Sequence, residues 1–382
     1  MTAPPSSHVL VSETLTAGAP HVREGADVAG AQRDTLIALV PCAIVGIANA
    51  GHQTLAAGAN LGFQGPQGWR GEALAFLGIA ATPDGVAASI TTGLLWALPV
   101  LATTLLASLF WTAVFARVRG RTPSPSAPVV AVLLALMLPA PVPLWQAALA
   151  ASFAVVVGLE IFGGTGRNPV HPAVVGFLFL YFAYPASFSA PGAWVGFADA
   201  EETTLLRALA GGGLEAVDTF GFTPWKSALG FEPGALGETS AIACAAGAAW
   251  LVLRGLASWR VVAGGVAGLA LTLLGLGALA EGRPPLLLPW SWHLVTGSFA
   301  FALAFLATDP VTGAMTRAGR WIHGFLVGAL TALVRGLNPA HPEGTMMAVL
   351  LGSVLAPLVD HVVVRVRLAR RARRRRGAAS RG

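Results

Sequence analysis

Apolar stretches alternate with more polar segments along most of the chain. A bilayer core about 30 Å thick requires roughly 20 residues of α-helix, so each stretch predicts one transmembrane helix. The third stretch is short, and the proline-rich corner at 139–143 leaves open whether it merges with the fourth. The predicted spans are 34–56, 88–116, 128–141, 145–162, 172–189, 238–254, 261–280, 293–308, 321–337 and 345–364.

Composition agrees with this pattern. Of the 382 residues, 55% are hydrophobic and 11% are charged, whereas soluble domains carry about 25% charged residues. The chain is therefore predicted to be an all-α polytopic membrane protein with about ten transmembrane helices. Cys42 and Cys244 lie in apolar stretches and match no metal-ligand spacing, so we expect inert core thiols and no metal site. Residues 1–33 lack the apolar core of a signal peptide, which predicts an N-terminal tail.

Basic residues predict the orientation of the spans, because arginine and lysine concentrate in cytoplasmic segments. The run from Arg365 to Arg376 places the C-terminus in the cytoplasm, and an even number of spans places the N-terminus there too. After a last span, such a run predicts contact with anionic membrane lipid rather than with nucleic acid. The predicted domains are a cytoplasmic tail (1–33), a first five-helix unit (34–189), an acidic outer loop (190–237), a second five-helix unit (238–364) and a basic cytoplasmic tail (365–382).

Residues 160–172 read Glu-Ile-Phe-Gly-Gly-Thr-Gly-Arg-Asn-Pro-Val-His-Pro. Their glycines and prolines predict non-helical backbone between two spans. At membrane depth such backbone must line a cavity or pack on protein, so two interpretations stay open: a tight polar loop, and an ion or cofactor site. A similar motif, Gly-Leu-Asn-Pro-Ala-His-Pro, occupies residues 336–342. The predicted orientation places the two copies on opposite sides of the membrane, as an inverted repeat would.

Three carboxylates, Glu160, Asp309 and Asp360, lie at or near the ends of predicted spans. A carboxylate in hydrocarbon costs several kcal/mol unless it is paired, hydrated or protonated. Each residue either reaches the membrane interface or belongs to a cation pathway, since hard cations prefer oxygen ligands. In the outer loop, the chemistry of residues 218–224 alone indicates an aromatic turn, and residues 237–240 indicate a helix start.

The run Phe162-Gly-Gly-Thr-Gly-Arg-Asn-Pro169, followed by Phe182-Ala-Tyr-Pro185, resembles the NqrB/RnfD family of membrane proteins. The N-terminal and C-terminal matches are more similar to the NqrB branch, from Na⁺-translocating NADH:quinone oxidoreductases, than to the RnfD branch, from Rnf complexes. Further matching segments extend over nearly the whole chain: 18–25, 51–54, 143–147, 237–240, 305–311, 338–344 and 356–362.

The resemblance implies two inverted five-helix repeats, similar to urea transporters. It also implies FMN joined through its phosphate to a periplasmic threonine, a non-covalent riboflavin, and a ubiquinone or menaquinone substrate near Gly158 and Glu160. The family motif Asp-Gly-x-Ser-Gly-Ala-Thr corresponds to the shorter Asp218-Thr-Phe-Gly-Phe-Thr223, which makes Thr223 the expected attachment residue and leaves attachment open. The other residues expected at the cofactors are Asp218, Gly221, Gly237, Glu238, Thr239, Arg167 and Asn168. The cation-pathway carboxylates of the family correspond to Glu160, Asp309 and Asp360.

The expected function is electron transfer within a six-subunit complex of the bacterial inner membrane. Electrons from NADH would pass through FMN and riboflavin to quinone, coupled to Na⁺ export, after a flavin transferase has modified Thr223. Because no dinucleotide-binding fingerprint follows a strand, the NADH site is expected on a partner protein. Three alternatives remain: an Rnf-type electron-transfer protein, a stand-alone solute transporter, and a flavin-free scaffold of the same fold.

Overall fold

The computed structural model describes residues 27–63, 65–190, 192–277, 284–338, 341 and 343–379. All regular secondary structure in these residues is helical, which confirms the all-α class. In chain order the helices are α1 Val28–Asn60, α2 Trp69–Phe76, α3 Val86–Arg119, α4 Ala127–Met137, α5 Leu144–Val155, α6 Pro172–Ala183, α7 Ala186–Ser189, α8 Leu205–Thr219, α9 Pro224–Leu229, α10 Ala241–Leu253, α11 Trp259–Leu276, α12 Pro284–Leu287, α13 Trp292–Val295, α14 Phe299–Phe301, α15 Arg317–Leu337 and α16 Thr345–Ala379.

Helix lengths divide into two classes. Within the described residues, four helices are long and apolar enough to cross a bilayer: α1, α3, α11 and the part of α16 up to Arg374. The apolar helices α4, α5 (with the turn that extends it to Glu160), α6 and α10 are shorter than that length. These lengths support a polytopic membrane protein, whereas the number of ten full spans and the inverted repeat stay predictions.

Two of the apolar helices end in a π-helical turn. Helix α5 continues as a π turn over Val156–Glu160, and α14 continues as a π turn over Ala302–Leu306. Each π turn leads into a polar loop, the first after Glu160 and the second containing Asp309. Single π turns occur frequently at functional sites because they displace the following side chains from helical register.

The predicted eighth span, 293–308, is interrupted. Helix α13 ends at Val295 and α14 begins at Phe299, with Gly297 between them at a φ of 63°. The break releases the carbonyls of His293 and Thr296, which accept hydrogen bonds of 2.8 and 3.1 Å from the guanidinium of Arg335. A buried arginine on α15 thus replaces the hydrogen bonds that a continuous helix would have made.

A sealed apolar layer lies in the middle of the molecule. The amide of Gly237 donates to the carbonyl of Leu136 at 2.7 Å, so the segment before α10 packs against the end of α4. The side chains around this crossing are fully buried. They include Leu134, Met137, Leu138, Phe301, Ala302 and Leu306.

Helix α1 connects the two ends of the molecule. Near its start Asp34 accepts a hydrogen bond of 2.9 Å from Arg254, and farther along Asn49 donates to the carbonyl of Glu232 at 2.8 Å. Fifteen helical residues rise about 22 Å. We call the first end the arginine face (Arg119, Arg254, Arg320) and the second end the loop face (residues 192–237).

The loop face is more ordered than the sequence predicts. Residues 190–237, expected to be a loop, contain α8 and α9. The pattern of α8 is obscured by Gly211-Gly-Gly213, and the helix is broken at Gly213, whose φ is 66°. At the other end of the chain, α16 continues beyond the predicted boundary at residue 364 into the arginine run. Residues 1–26 of the predicted N-terminal tail lie outside the described residues.

Helices α11 and α15 pack closely through glycines. A Cβ atom at Gly268 would overlap the backbone of Phe325, and one at Gly324 would overlap the backbone of Val261. Small residues four apart allow helix backbones in membranes to approach in this way. This contact joins the two helices that carry the second half of the chain between the faces.

We expect Gly268→Leu to lower the stability of the protein by about 1–3 kcal/mol, because the added side chain forces two backbones apart. Gly275→Leu on the same helix is the matched control, since Gly275 faces open space. Thermal unfolding in detergent, followed by size-exclusion chromatography, measures both variants. Equal losses in the two variants would contradict the packing argument.

Candidate functional site

Glu160 is buried on the arginine face and is fully paired. Its carboxylate accepts a hydrogen bond of 3.0 Å from the guanidinium of Arg119 and one of 2.6 Å from the hydroxyl of Ser124. Arg119 also donates to the backbone carbonyl of Glu160 at 2.6 Å. The ion pair balances the charge that burial would otherwise destabilise. A cation at Glu160 would therefore have to displace Arg119.

The loop after Glu160 has the non-helical backbone that the sequence predicts. Gly163, Gly164 and Gly166 all have positive φ, between 85° and 111°. Gly158, expected near a quinone, packs against the backbone of Pro172 and leaves no room for even a Cβ atom. The exposed side chains of this segment include two large apolar ones, Ile161 and Phe162.

Asp309 lies between two polar cavities on the arginine face. Its carboxylate accepts hydrogen bonds from the backbone amide and hydroxyl of Thr312, at 3.1 and 2.8 Å. One cavity, of about 80 Å³, also contacts His171 and Asn168, and the other, of about 150 Å³, contacts Arg320. Other hydroxyl and amide side chains also line the first cavity, beside apolar residues of α4 and α10: Gln32, Thr35, Ser126, Thr165 and Thr308.

His171 is a buried residue of this site that the sequence did not single out. Burial lowers its pKa below the usual range, and the charge of Asp309 opposes that shift. A neutral imidazole is thus favoured beside the carboxylate. Asn168 is buried and donates to the carbonyl of Val170 at 3.2 Å, whereas Arg167 is exposed. Both belong to the arginine face.

Asp360 caps the start of α15. Its carboxylate accepts hydrogen bonds from the amides of Met315 and Thr316, at 2.6 and 3.0 Å, and from the Thr316 hydroxyl at 2.5 Å. These bonds satisfy amides that a helix start leaves unpaired. The residue is half-buried on the arginine face. Of the three expected cation-pathway carboxylates, Asp309 is the one that borders polar cavities in the described part of the chain.

Thr223 is exposed on the loop face, in the connection between α8 and α9. Its hydroxyl accepts the amide of Lys226 at 3.2 Å, and the Lys226 ammonium donates to the carbonyl of Gly221 at 2.9 Å. Gly221 has a φ of 64°, as the tight turn requires, and Asp218 is exposed at the start of that turn. The aromatic turn expected from the sequence is confirmed.

An apolar cavity of about 460 Å³ lies beside the other end of α9. Helix α9 rises about 9 Å over its six residues, so the cavity begins roughly one flavin length from Thr223. The lining combines α1, the start of α3 and the end of α9. Its side chains include Ile44, Val45, His52, Val86, Leu229 and Phe231.

The segment 237–240 starts α10 as predicted. Ser240 accepts the amide of Ala243 at 3.2 Å and caps the helix. Glu238 is buried, and its Oε1 atom has no hydrogen-bond partner among the described residues. The same holds for the hydroxyl of Thr239. Glu238 and Thr239 both border a small cavity with Glu343, a residue that the sequence did not single out.

The expected cofactor residues therefore do not form one site. Gly237 lies in the apolar layer, and Glu238 and Thr239 follow it directly. Arg167 and Asn168 belong to the arginine face, while Thr223, Asp218 and Gly221 belong to the loop face, with the apolar layer between the two groups. A single flavin does not span that separation. In the part of the chain that the structure describes, no three His, Cys, Asp or Glu residues cluster as metal ligands, and Cys42 and Cys244 are free, buried thiols 3.7 Å apart.

Comparison with known proteins matches the profile of the NQR2, RnfD, RnfE family to residues 15–368. The chain belongs to this family. It is 41% identical to the B subunit of the Na⁺-translocating NADH-quinone reductase of Chromohalobacter salexigens, over 94% of this chain and 88% of the relative. The same protein of Pseudomonas aeruginosa is also 41% identical, and that of Stutzerimonas stutzeri is 38% identical, each over 94% of this chain and 89% of the relative.

In this member of the family, Glu232 links the segment that carries Thr223 to α1. Its carboxylate accepts the Ser227 hydroxyl at 2.5 Å, and its carbonyl accepts the Asn49 amide. Burial raises the pKa of Glu232 to about 7, against the opposing effects of the Ser227 hydrogen bond and the charge of Lys226. The segment that carries Thr223 is thus held by a carboxyl group that titrates near neutral pH.

Glu232→Gln is expected to stabilise the protein at pH 8 and to have little effect near pH 4.5. The folded state binds the Glu232 proton more tightly than the unfolded chain does, so the stability contributed by this carboxyl is lost as the pH rises through 7. The difference at pH 8 is on the order of 2–3 kcal/mol. Thermal unfolding across this pH range measures it, with the exposed Glu215→Gln as control. If Glu232→Gln and the wild type have the same unfolding temperature at every pH, the raised pKa of Glu232 is refuted.

Proposed function

We infer that the chain works as the B subunit of a Na⁺-translocating NADH:quinone oxidoreductase in a bacterial inner membrane. The observation that supports this most strongly is the match to relatives of that name over nearly all of both chains. In this role the chain works in a multi-subunit complex, and NADH binds to a partner. Non-covalent riboflavin and a ubiquinone or menaquinone substrate belong to the proposal through the family resemblance.

Thr223 is the proposed covalent attachment residue for FMN. Its exposed position makes the hydroxyl accessible to a flavin transferase, and the nearby Lys226 ammonium supplies a positive charge for a phosphate. FMN supplies electron transfer when bound. The shortened motif keeps its terminal threonine directly after a tight glycine turn, which supports the proposal.

The surroundings of Thr223 also fit the flavin ring. The apolar cavity beside α9 is large enough for a planar aromatic ring and opens within the reach of a group tethered at Thr223. Phe220 and Trp225 are exposed next to the attachment residue and offer stacking surfaces. In the proposed arrangement the chain holds the phosphate at the surface and shields the ring from water.

On the arginine face, the cavities around Asp309 are the proposed route for Na⁺ from the cytoplasm. The carboxylate and the surrounding hydroxyl and amide oxygens provide the hard ligands that such a cation prefers. Glu160 is already paired with Arg119, and Asp360 already caps α15. In this proposal the two residues contribute to the electrostatic potential at the arginine face rather than binding the ion directly.

Thr223→Ala is expected to abolish the covalent flavin fluorescence of this chain on a denaturing gel, because alanine offers no oxygen for a phosphoester. Thr219→Ala, which removes another exposed hydroxyl four residues away, should keep the fluorescence. The chain must be produced together with its flavin transferase, and size-exclusion chromatography checks that both variants fold. Fluorescence that persists in Thr223→Ala disproves the attachment residue.

Asp309→Asn is expected to raise the Na⁺ concentration for half-maximal quinone reduction about tenfold, equivalent to about 1.4 kcal/mol. Asparagine keeps an oxygen for Thr312 but removes the charge beside the two cavities. Asp199→Asn, an exposed change on the loop face, is the control. An unchanged Na⁺ dependence in the purified complex would exclude Asp309 from the route.

A further inference from the structure

A second group of buried oxygen atoms lies on the loop face, separate from Thr223. Glu238 and Glu343 together border two small cavities, of about 30 and 10 Å³. Thr239 borders the first cavity and Ser298 borders the second. Each cavity holds about one or two water-sized particles. This space excludes a flavin or a quinone and suits an ion.

Three oxygen atoms around these cavities lack a hydrogen-bond partner among the residues that the structure describes. They are Oε1 of Glu238 and the hydroxyls of Thr239 and Ser298. Glu238 is 8% exposed and Ser298 is 3% exposed. A buried polar atom without a partner costs about 1–3 kcal/mol, so three of them at one place indicate a missing ligand.

The local charge indicates which ligand fits. Arg335 is fully buried nearby, but its hydrogen bonds go to the carbonyls of His293 and Thr296 and to the hydroxyl of Thr345. Within the described residues neither Glu238 nor Glu343 forms an ion pair, since the Glu343 carboxylate accepts only the Thr204 hydroxyl, at 2.7 Å. Glu232 also borders the first cavity, and its carboxylate accepts the Ser227 hydroxyl. The ionised carboxylates around the cavities therefore outnumber the one guanidinium, and a bound cation would offset the excess negative charge.

The arrangement repeats the one on the arginine face. There, the loop with the Asn-Pro-Val-His motif brings His171 to the cavity beside Asp309. Here, Glu343, which follows the similar Asn-Pro-Ala-His motif in the sequence, lies beside the cavities of Glu238. Helix α10 separates the two places by about 20 Å. Each face of the molecule thus has a carboxylate that borders two cavities, with a residue of one motif, or one just after the other motif, beside it.

We propose that Glu238, Glu343, Thr239 and Ser298 bind one alkali-metal cation on the loop face, at a site distinct from both Thr223 and Asp309. The carboxylates supply the charge, the two hydroxyls supply neutral oxygen ligands, and the buried Arg335 limits the negative charge of the site. The identity of the cation as Na⁺ rests on the proposed function. In that function the site is the last one that the ion occupies before it leaves on the loop face.

The rival explanation is a protonated Glu238 surrounded by ordered water. Glutamine has the shape and charge of a protonated glutamate, so Glu238→Gln separates the two explanations. A protonated Glu238 predicts no change in cation dependence, whereas a cation site predicts weaker Na⁺ binding.

The experiment uses the purified, flavin-loaded complex and measures its thermal unfolding as NaCl replaces choline chloride at constant ionic strength. In wild type, Na⁺ should raise the unfolding temperature in a saturable way, because a ligand that binds only the folded state stabilises it. Glu238→Gln should raise the half-saturating Na⁺ concentration at least tenfold, and Ser298→Ala should raise it by a smaller factor. Glu201→Gln, an exposed change on the same face, should match wild type.

An unchanged Na⁺ response in Glu238→Gln overturns the proposal, and so does a wild-type complex that shows no saturable response to Na⁺. Covalent flavin on the chain and electron transfer from NADH to quinone are recorded for every variant. If these two properties persist while the Na⁺ response is unaffected by Glu238→Gln, the cation site fails and the proposed function stands. If the flavin or the electron transfer is absent from wild type, the proposed function fails independently.

Discussion

The arrangement of the molecule depends on the apolar layer where the end of α4 meets the segment before α10. A hydrogen bond from Gly237 to Leu136 holds two irregular backbones together inside the core, and Gly237 has no space for a Cβ atom between Leu136 and Phe301. Polar backbone at this depth is stable only because each segment satisfies the other. The fully buried side chains of this layer separate the arginine face from the loop face.

The free-energy cost of placing a charge in apolar surroundings explains where carboxylates occur around this layer. Three acidic side chains near the membrane core are either paired, as Glu160 is with Arg119, or border a cavity, as Asp309 and Glu238 do. None of these three lies within the sealed layer itself. An ion that crosses the protein must therefore pass between two polar sites without a fixed charge in between, which requires the layer to open or shift.

Local signals were sufficient to predict several features. Proline and glycine in residues 160–172 predicted irregular backbone, and polar residues before α10 predicted its cap, because both effects act over a few residues. Helix α8 was missed because Gly211-Gly-Gly213 masks its pattern. The break in the eighth span was also missed. It depends on Arg335, which replaces the lost helical hydrogen bonds from another helix.

The same distinction applies to the candidate sites. Sequence reasoning found Glu160, Asp309 and Asp360 as isolated carboxylates in apolar surroundings, but partners distant in the chain decide what each one can do. Arg119 forms an ion pair with Glu160, and Asp360 caps the start of α15. The carboxylates of these two residues therefore already have structural partners. Asp309 keeps access to the polar cavities because its hydrogen-bond partner, Thr312, is a near neighbour in the same loop. Free coordination capacity, rather than the presence of an acidic residue, therefore distinguishes a transport site from a structural charge.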